Sequence, residues 1–293
     1  MFIAILNTIA PVIVCAMVGF SWARLGGRYE TVFVTRLVTY VGFPCLIFET
    51  LIKVELDGDI LLLMGVSALV TTVLFAAISA VVLKMAKLDV RAFLPSMTFA
   101  NTGNLGLSLC LLAFGSNGLA LGIGFFTVSA IMVHVFGAAI SSGSYRLDTI
   151  LKLPLVWATL AAVVAMWGDI EFPEWTMHSL DMLGSFAIPL MLITLGVSLA
   201  DLKIDSLRRS VALSVLRLGM GFAVGLGAAE LLDLEGAARG VMIIQCAMPA
   251  AVFNFMYAQM YETRPSEVAG VIMVSTLLSF LTLPALMWFV MGG

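Results

Sequence analysis

The sequence predicts an all-α membrane protein of ten transmembrane helices. They form a 5+5 inverted repeat, with helices four and nine broken and crossed at mid-membrane. Three observations predict this. Of the 293 residues, 61% are hydrophobic and 11% charged, against about 25% charged in soluble domains, so most of the surface must face lipid. The apolar residues fall into ten runs near the ~20-residue length of a spanning helix. Helix-disrupting residues recur at matching places in the two halves of the chain.

The runs cover 3–22, 31–52, 60–83, 92–115, 118–140, 150–168, 178–199, 209–232, 237–260 and 267–290. The first starts at Met1 with no basic residue before it, unlike a secretory signal, and is read as a true span. Connections are short, so the spans form one compact bundle. Trp22, Trp167, Trp175 and Trp288 fall near run ends, where an interfacial aromatic belt belongs. Loops after spans one, three, five, seven and nine, with their flanks, hold 12 of the 15 basic residues: Arg24, Arg28, Arg36, Lys84, Lys87, Arg91, Arg146, Lys152, Lys203, Arg208, Arg209 and Arg264. The opposite loops hold only Lys53 and Arg239 and are otherwise acidic. By the positive-inside rule the odd loops are cytoplasmic. Both termini then lie on the extracytoplasmic side of the cell inner (cytoplasmic) membrane.

The repeat rests on two matches. Phe43-Pro44-Cys45-Leu46 in span two resembles Ile188-Pro189-Leu190-Met191 in span seven, an offset of 189 − 44 = 145. The same offset carries Asn104 in span four to Pro249 in span nine. Five spans per half place the halves in opposite orientations. Inverted repeats with interruptions at corresponding positions point to a transporter's binding site.

Span four carries Asn101-Thr102-Gly103-Asn104-Leu105-Gly106-Leu107-Ser108 at its middle. Glycine weakens a helix, and asparagine prefers caps and turns, so an interruption at 101–106 is expected. The second half of such a span restarts with unpaired N–H groups and a partial positive charge. Span nine carries Gln245 and Asn254 on either side of Pro249 and Ala250. The proline removes a backbone hydrogen bond and clashes with the preceding turn. Two crossed breaks would bring two positive half-helix ends to one point, where an anion needs no lysine or arginine. The candidate substrate-binding residues are Asn101, Thr102, Gly103, Asn104, Gln245, Pro249, Ala250, Asn254 and His134. The competing reading is structural: small residues and asparagine also pack helices closely, and a lone proline also only kinks.

Other polar residues inside spans have bland readings beside functional ones. Arg217, about two turns inside span eight, could sense substrate or snorkel to the interface. Glu49 and Lys53 form an interfacial i,i+4 pair. His134 in span five could line the pathway or relay a proton.

Several function classes find no support. The net charge of −3 gives nothing for nucleic acid. Cys15, Cys45, Cys110 and Cys246 lie in apolar runs without CxxC spacing, so neither a disulfide nor a metal site is expected. No carboxylate falls at the centre of spans four, five or nine, where a cation/proton antiporter needs one. There is no nucleotide-binding loop, no HExxH and no nucleophile–base pair. No catalytic residue, cofactor or enzyme activity is expected.

The run Asn101-Thr102-Gly103-Asn104-Leu105-Gly106-Leu107 resembles the fourth-span motif of the auxin efflux carrier family. Met248-Pro249-Ala250-Ala251 with Phe255-Met256-Tyr257-Ala258 and Tyr261 resembles its ninth-span motif, and Pro284 fits the spacing. The likeness covers essentially the full length. The short central loop near 141–149 looks like that of a bacterial member, because plant members carry a long loop there. Two departures stand out: Ser108 replaces a proline common after the glycine–apolar pair, and Ala100 replaces the proline before Asn-Thr in plant carriers, which makes auxin itself a doubtful substrate. The resemblance implies the sodium/proton-antiporter and bile-acid-symporter fold. It implies a scaffold part, 1–55 and 150–202, and a mobile crossover part, 56–149 and 203–293, within a single transporter unit that dimerises. It also implies that Asn101 contacts substrate, that Pro249 is the second crossover proline, and that His134 falls near a pathway position.

The resulting expectation is a secondary transporter for a small organic anion, a mono- or dicarboxylate or an auxin-like acid, working by an elevator-type movement. H+ and Na+ are the candidate coupling ions. The alternatives are a sodium-coupled symporter of bile-acid type, with Asn104, Thr102 and Gln245 supplying oxygen ligands, and a membrane receptor that binds without moving its ligand.

Overall fold

The structure is a computed structural model that describes residues 2–53, 58–137, 140–141, 154–168, 170, 172–201 and 206–292. Nearly all of the expected central loop, and the acidic residues Glu55 and Asp57, lie outside the described residues. Every regular element among the described residues is helical.

In chain order the elements are α1 Phe2–Arg24, α2 Thr31–Leu37, a π-helical turn Val38–Gly42, α3 Phe43–Lys53, α4 Gly58–Met85, α5 Val90–Thr98, a π-helical turn Thr102–Leu107, α6 Ser108–Met132, a π-helical turn Val133–Gly137, α7 Pro154–Trp167, α8 Glu174–Ser185, α9 Ala187–Asp201, α10 Leu207–Leu231, α11 Gly236–Ala247, α12 Phe253–Met260 and α13 Pro265–Gly292. Six helical stretches among the described residues, some of them kinked, are long and apolar enough to cross a membrane: Thr31–Lys53, Gly58–Met85, Thr102–Met132, Glu174–Ala200, Leu207–Leu231 and Pro265–Gly292. The chain is thus an all-helical, multi-span membrane protein.

Six is fewer than the ten expected runs: the first counts only as the shorter apolar helix Ala10–Arg24, and the other differences have identifiable reasons. The fourth and ninth runs are not continuous helices, because α5 stops at Thr98 and α11 at Ala247. The sixth run begins in residues outside the described set. The fourth and fifth runs meet at Gly115, whose φ of 63° and ψ of −154° leave the helix. That positive φ is open to glycine at little cost.

The matched prolines act as expected. A proline clashes with the carbonyl four residues earlier. For Pro44 that residue is Tyr40, inside the π-helical turn Val38–Gly42; for Pro189 it is Ser185, where α8 gives way to α9 through Phe186. Both prolines loosen the turn preceding them.

Packing sorts the helices into two groups. In the first, α1 lies along α9, and α3 packs on α7 and α8. The α1–α9 contact is backbone-close: a Cβ on Gly19 would overlap the Ile193 carbonyl, and one on Gly196 the Ala16 carbonyl. Small residues permit such approach where lipid supplies no hydrophobic drive between helices. In the second group, α4 packs on α5 and α6, α10 packs on α11 and α13, and α6 reaches α11. The groups meet where α1 faces α6 and α13 and where α3 faces α6. Phe43, Leu46 and Met191 there share a buried cluster with Leu119, Ile123 and Phe126.

One end of the second group is tied by charge. Asp89 caps α5, accepting from Arg91 N (3.0 Å) and Ala92 N (3.3 Å), as a helix start requires. Arg264 Nε lies 3.5 Å from Asp89 Oδ2, and Arg264 Nη1 donates to Glu267 Oε1 at 2.9 Å. Arg209 also pairs with Glu267.

Candidate substrate site at the crossing of two extended segments

Two short extended segments cross between α5 and the turn at Thr102, and between α11 and α12. Asn101 N donates to Pro249 O at 2.8 Å, and Ala251 N donates to Phe99 O at 3.1 Å. The pair forms an antiparallel bridge between Ala100 and Ala250. Side chains brace it. Asn254 Nδ2 donates to Phe99 O at 3.1 Å, and Ala250 N donates to Ser275 Oγ of α13 at 3.2 Å. In a medium without water each released backbone group needs such a partner.

The break in the fourth run falls at Phe99–Asn101, earlier than the expected 101–106. The asparagine and glycine run marks the restart, and its first turns are π-helical. Breaks centred on Ala100 and Ala250 are 250 − 100 = 150 residues apart, not the 145 that relates the two prolines. The connections on the way from proline to break therefore differ in length between the halves.

Against the crossing lies a chamber of about 60 Å³. At about 15 Å³ per water it has room for roughly four waters, the scale of one small polar group. Thr102, Gly103 and Asn104 line it, with Asn101, Gln245 and Phe253. Phe43, Phe75, Phe99, Phe125 and Phe126 form much of the remaining wall. Among the described residues no carboxylate and no basic side chain lines it. A larger vestibule of about 690 Å³ adjoins it, sharing Asn101, Asn104, Met191 and Phe253. The vestibule runs past Thr194 and Ser198 of α9 to Thr31, Arg36, Gln259 and Met260.

The hydrogen bonds at the crossing are lopsided. The first bond within the turn after Asn101 is Gly106 N to Asn101 O at 3.1 Å, so the amides of Thr102, Gly103 and Asn104 precede it. Asn101 is 4% exposed, and its Nδ2 has no partner. The carbonyl side is occupied instead. Phe99 O accepts twice, and Cys246 O, in the last turn of α11, accepts from Arg217 Nη2 at 3.3 Å. Open amide donors beside engaged backbone carbonyls favour an anion, and the Gln245 side-chain oxygen is the open acceptor in the same chamber.

The predicted residues divide. Asn101, Thr102, Gly103, Asn104 and Gln245 line the chamber. Gln245 is fully buried, donates to Gly122 O at 3.3 Å, and keeps Oε1 unpartnered. It fits because position 106 is glycine: a Cβ there would overlap Gln245 Oε1. Pro249, Ala250 and Asn254 line neither space, and build the crossing instead. The start of α12 reaches the chamber through Phe253, since the amides of Asn254 and Phe255 already donate to Ala251 O and Val252 O. His134 lies on the turn Val133–Gly137, beside the chamber-lining Val133; its side chain lies outside the described residues. Arg217 does not snorkel. It is fully buried, with its guanidinium 4.7 Å from the Phe75 ring centroid. The phenylalanine wall and the α9 side of the vestibule carry no local sequence signal, because they are assembled from distant helices.

Comparison with known proteins points to membrane transport. A family model described as membrane transport protein matches residues 146–287. The matched stretch is just under half of the chain. Similar proteins align with most of the chain. An uncharacterized transporter of Methanothermobacter thermautotrophicus is 28% identical over 95% of this chain and 96% of its own length. One of Methanocaldococcus jannaschii is 25% identical over 98% and 99%. A protein of Rhizobium meliloti provisionally named a malonate transporter is 24% identical over 87% and 86%. The Met248–Tyr261 run lies inside the stretch matched by the family model, and the Asn101–Leu107 run lies outside it, within the long alignments to the two archaeal transporters.

Proposed function

We propose that this membrane transport protein is a secondary carrier for a small organic anion, bound at the crossing. The observation that carries the reading is the chamber where the Thr102–Asn104 amides and Asn101 Nδ2 are open while the backbone carbonyls of Phe99 and Cys246 are occupied. The name of the Rhizobium relative adds malonate as a first candidate substrate. A small carboxylate head fits the chamber, and its remainder extends into the vestibule.

In this reading the chain has ten spans in two inverted halves of five, with spans four and nine interrupted. The α5–α6 and α11–α12 breaks support it, as do the loosened turns before Pro44 and Pro189. The α1, α3, α7, α8 and α9 group serves as scaffold, and the group bearing the crossing moves. The vestibule mouth, with Arg36, lies on the side that the positive-inside rule makes cytoplasmic. The conformation is then inward-open, both termini lie outside the inner membrane, and an elevator movement alternates access. A second copy pairs through the scaffold.

Flux of labelled malonate and lactate into proteoliposomes holding the purified chain tests the reading. Saturable, protein-dependent flux of at least one is expected. Saturable binding without flux under any gradient would favour a receptor; neither binding nor flux would overturn the proposal.

A further inference from the structure

The second helix group contains a buried charge that the binding reading does not use. Among the described charged residues only Glu49 and Arg217 are buried. Glu49 sits in the first group and pairs with Lys53 on its own helix. Arg217 has no carboxylate partner among the described residues. It gives one hydrogen bond, to Cys246 O, and its Nε and Nη1 have no partner. Arginine does not give up its proton in proteins, and an unpaired charge in an apolar interior is costly. Such a charge is retained where something offsets it.

Two contacts tie it to the chamber. Cys246 O belongs to the carbonyl end of α11, the negative end of that helix. Phe75, under the guanidinium, lines the chamber, and so does Gln245, the neighbour of Cys246. Arg217 lies one side chain behind the chamber wall.

We propose that Arg217 is the built-in counter-charge of the transported anion. The buried interior of the half that carries the crossing then holds no net charge with a monoanion bound and one positive charge when empty. This rests on the carrier reading above. It adds that a loaded monoanion crosses the field without net charge, while the empty return moves charge. A dianion leaves the loaded half with one negative charge, so its passage feels the field.

The test is self-exchange in proteoliposomes of the full chain, with labelled lactate as monoanion and labelled malonate as dianion. Both are measured at a pH that ionises them fully, under inside-negative and inside-positive diffusion potentials. In the wild type, lactate exchange is expected to change less than twofold between potentials and malonate exchange severalfold. Arg217→Gln makes lactate exchange change severalfold, and Arg217→Lys restores insensitivity. A residue that merely packs would leave this pattern alone. Voltage-sensitive lactate exchange in the wild type would overturn the proposal even if Arg217→Gln failed to insert, as would lactate exchange that stays insensitive in Arg217→Gln. Saturable flux with the wrong voltage pattern sinks this inference alone. No saturable exchange of either probe sinks the carrier reading and this inference with it.

Discussion

Replacing Asn101 by alanine probes the account where its chemistry is concentrated. Asn101 is buried, borders both chamber and vestibule, and presents Nδ2 without a partner. A bound carboxylate would accept a charge-assisted hydrogen bond from it, worth about 1.5–3 kcal/mol. Its loss corresponds to roughly 10- to 150-fold in dissociation constant. The ligand-free protein should hardly change, because no bond from Nδ2 is broken; a shift within about 1 kcal/mol is expected. Thermal shift separates the two effects. Ligand at about 100 times the wild-type dissociation constant stabilises the wild type by about 2.7 kcal/mol. The same concentration should stabilise Asn101→Ala by only about 0.3–1.4 kcal/mol, from the same relation. Half-saturation of flux should rise by the same factor. A variant with wild-type melting and half-saturation within twofold of wild type would refute the reasoning.

Three further outcomes follow from the same geometry. Gly106→Val places carbon where Gln245 Oε1 sits. Gln245 must release Gly122 O, at a cost of about 1–3 kcal/mol for a buried amide left unpaired; flux should be abolished and melting lowered by several degrees, and wild-type flux would contradict the packing. Arg36→Gln removes the cation bordering the vestibule; half-saturation should rise about two- to fivefold at low ionic strength and converge on wild type at high salt, whereas an effect independent of salt would argue against steering. Replacing sodium by choline should leave flux within twofold, since no carboxylate lines the chamber among the described residues; a loss beyond tenfold would point to the sodium-coupled alternative.

Much of the fold was legible because lipid leaves the chain few choices. Apolar runs must be helices, and a proline must loosen its preceding turn, as Pro44 and Pro189 do. The chamber-lining stretch Asn101–Asn104 was legible because glycine and asparagine are costly inside a helix. The position of the break was not. Phe99 and Ala100 look like helix, and only pairing with Pro249 and Ala251, some 150 residues away, holds them extended. Asn254 read as a ligand residue for a related reason: its spacing from Pro249 fits a pathway, but its partner, the Phe99 carbonyl, comes from another helix. Arg217 stayed open between sensing substrate and snorkelling because its distance from the span end allows both. The ring of Phe75 and the carbonyl of Cys246, which receive it instead, are visible only once α4, α10 and α11 are packed together.

An experimental density map of the purified chain with malonate bound would test the central claim most directly. The account predicts backbone leaving the helix at Phe99–Asn101 and Met248–Val252, with a carboxylate within hydrogen-bond reach of Asn101 Nδ2 and the Thr102–Asn104 amides. Helices running unbroken through both places, or the anion seated away from the crossing, would contradict it.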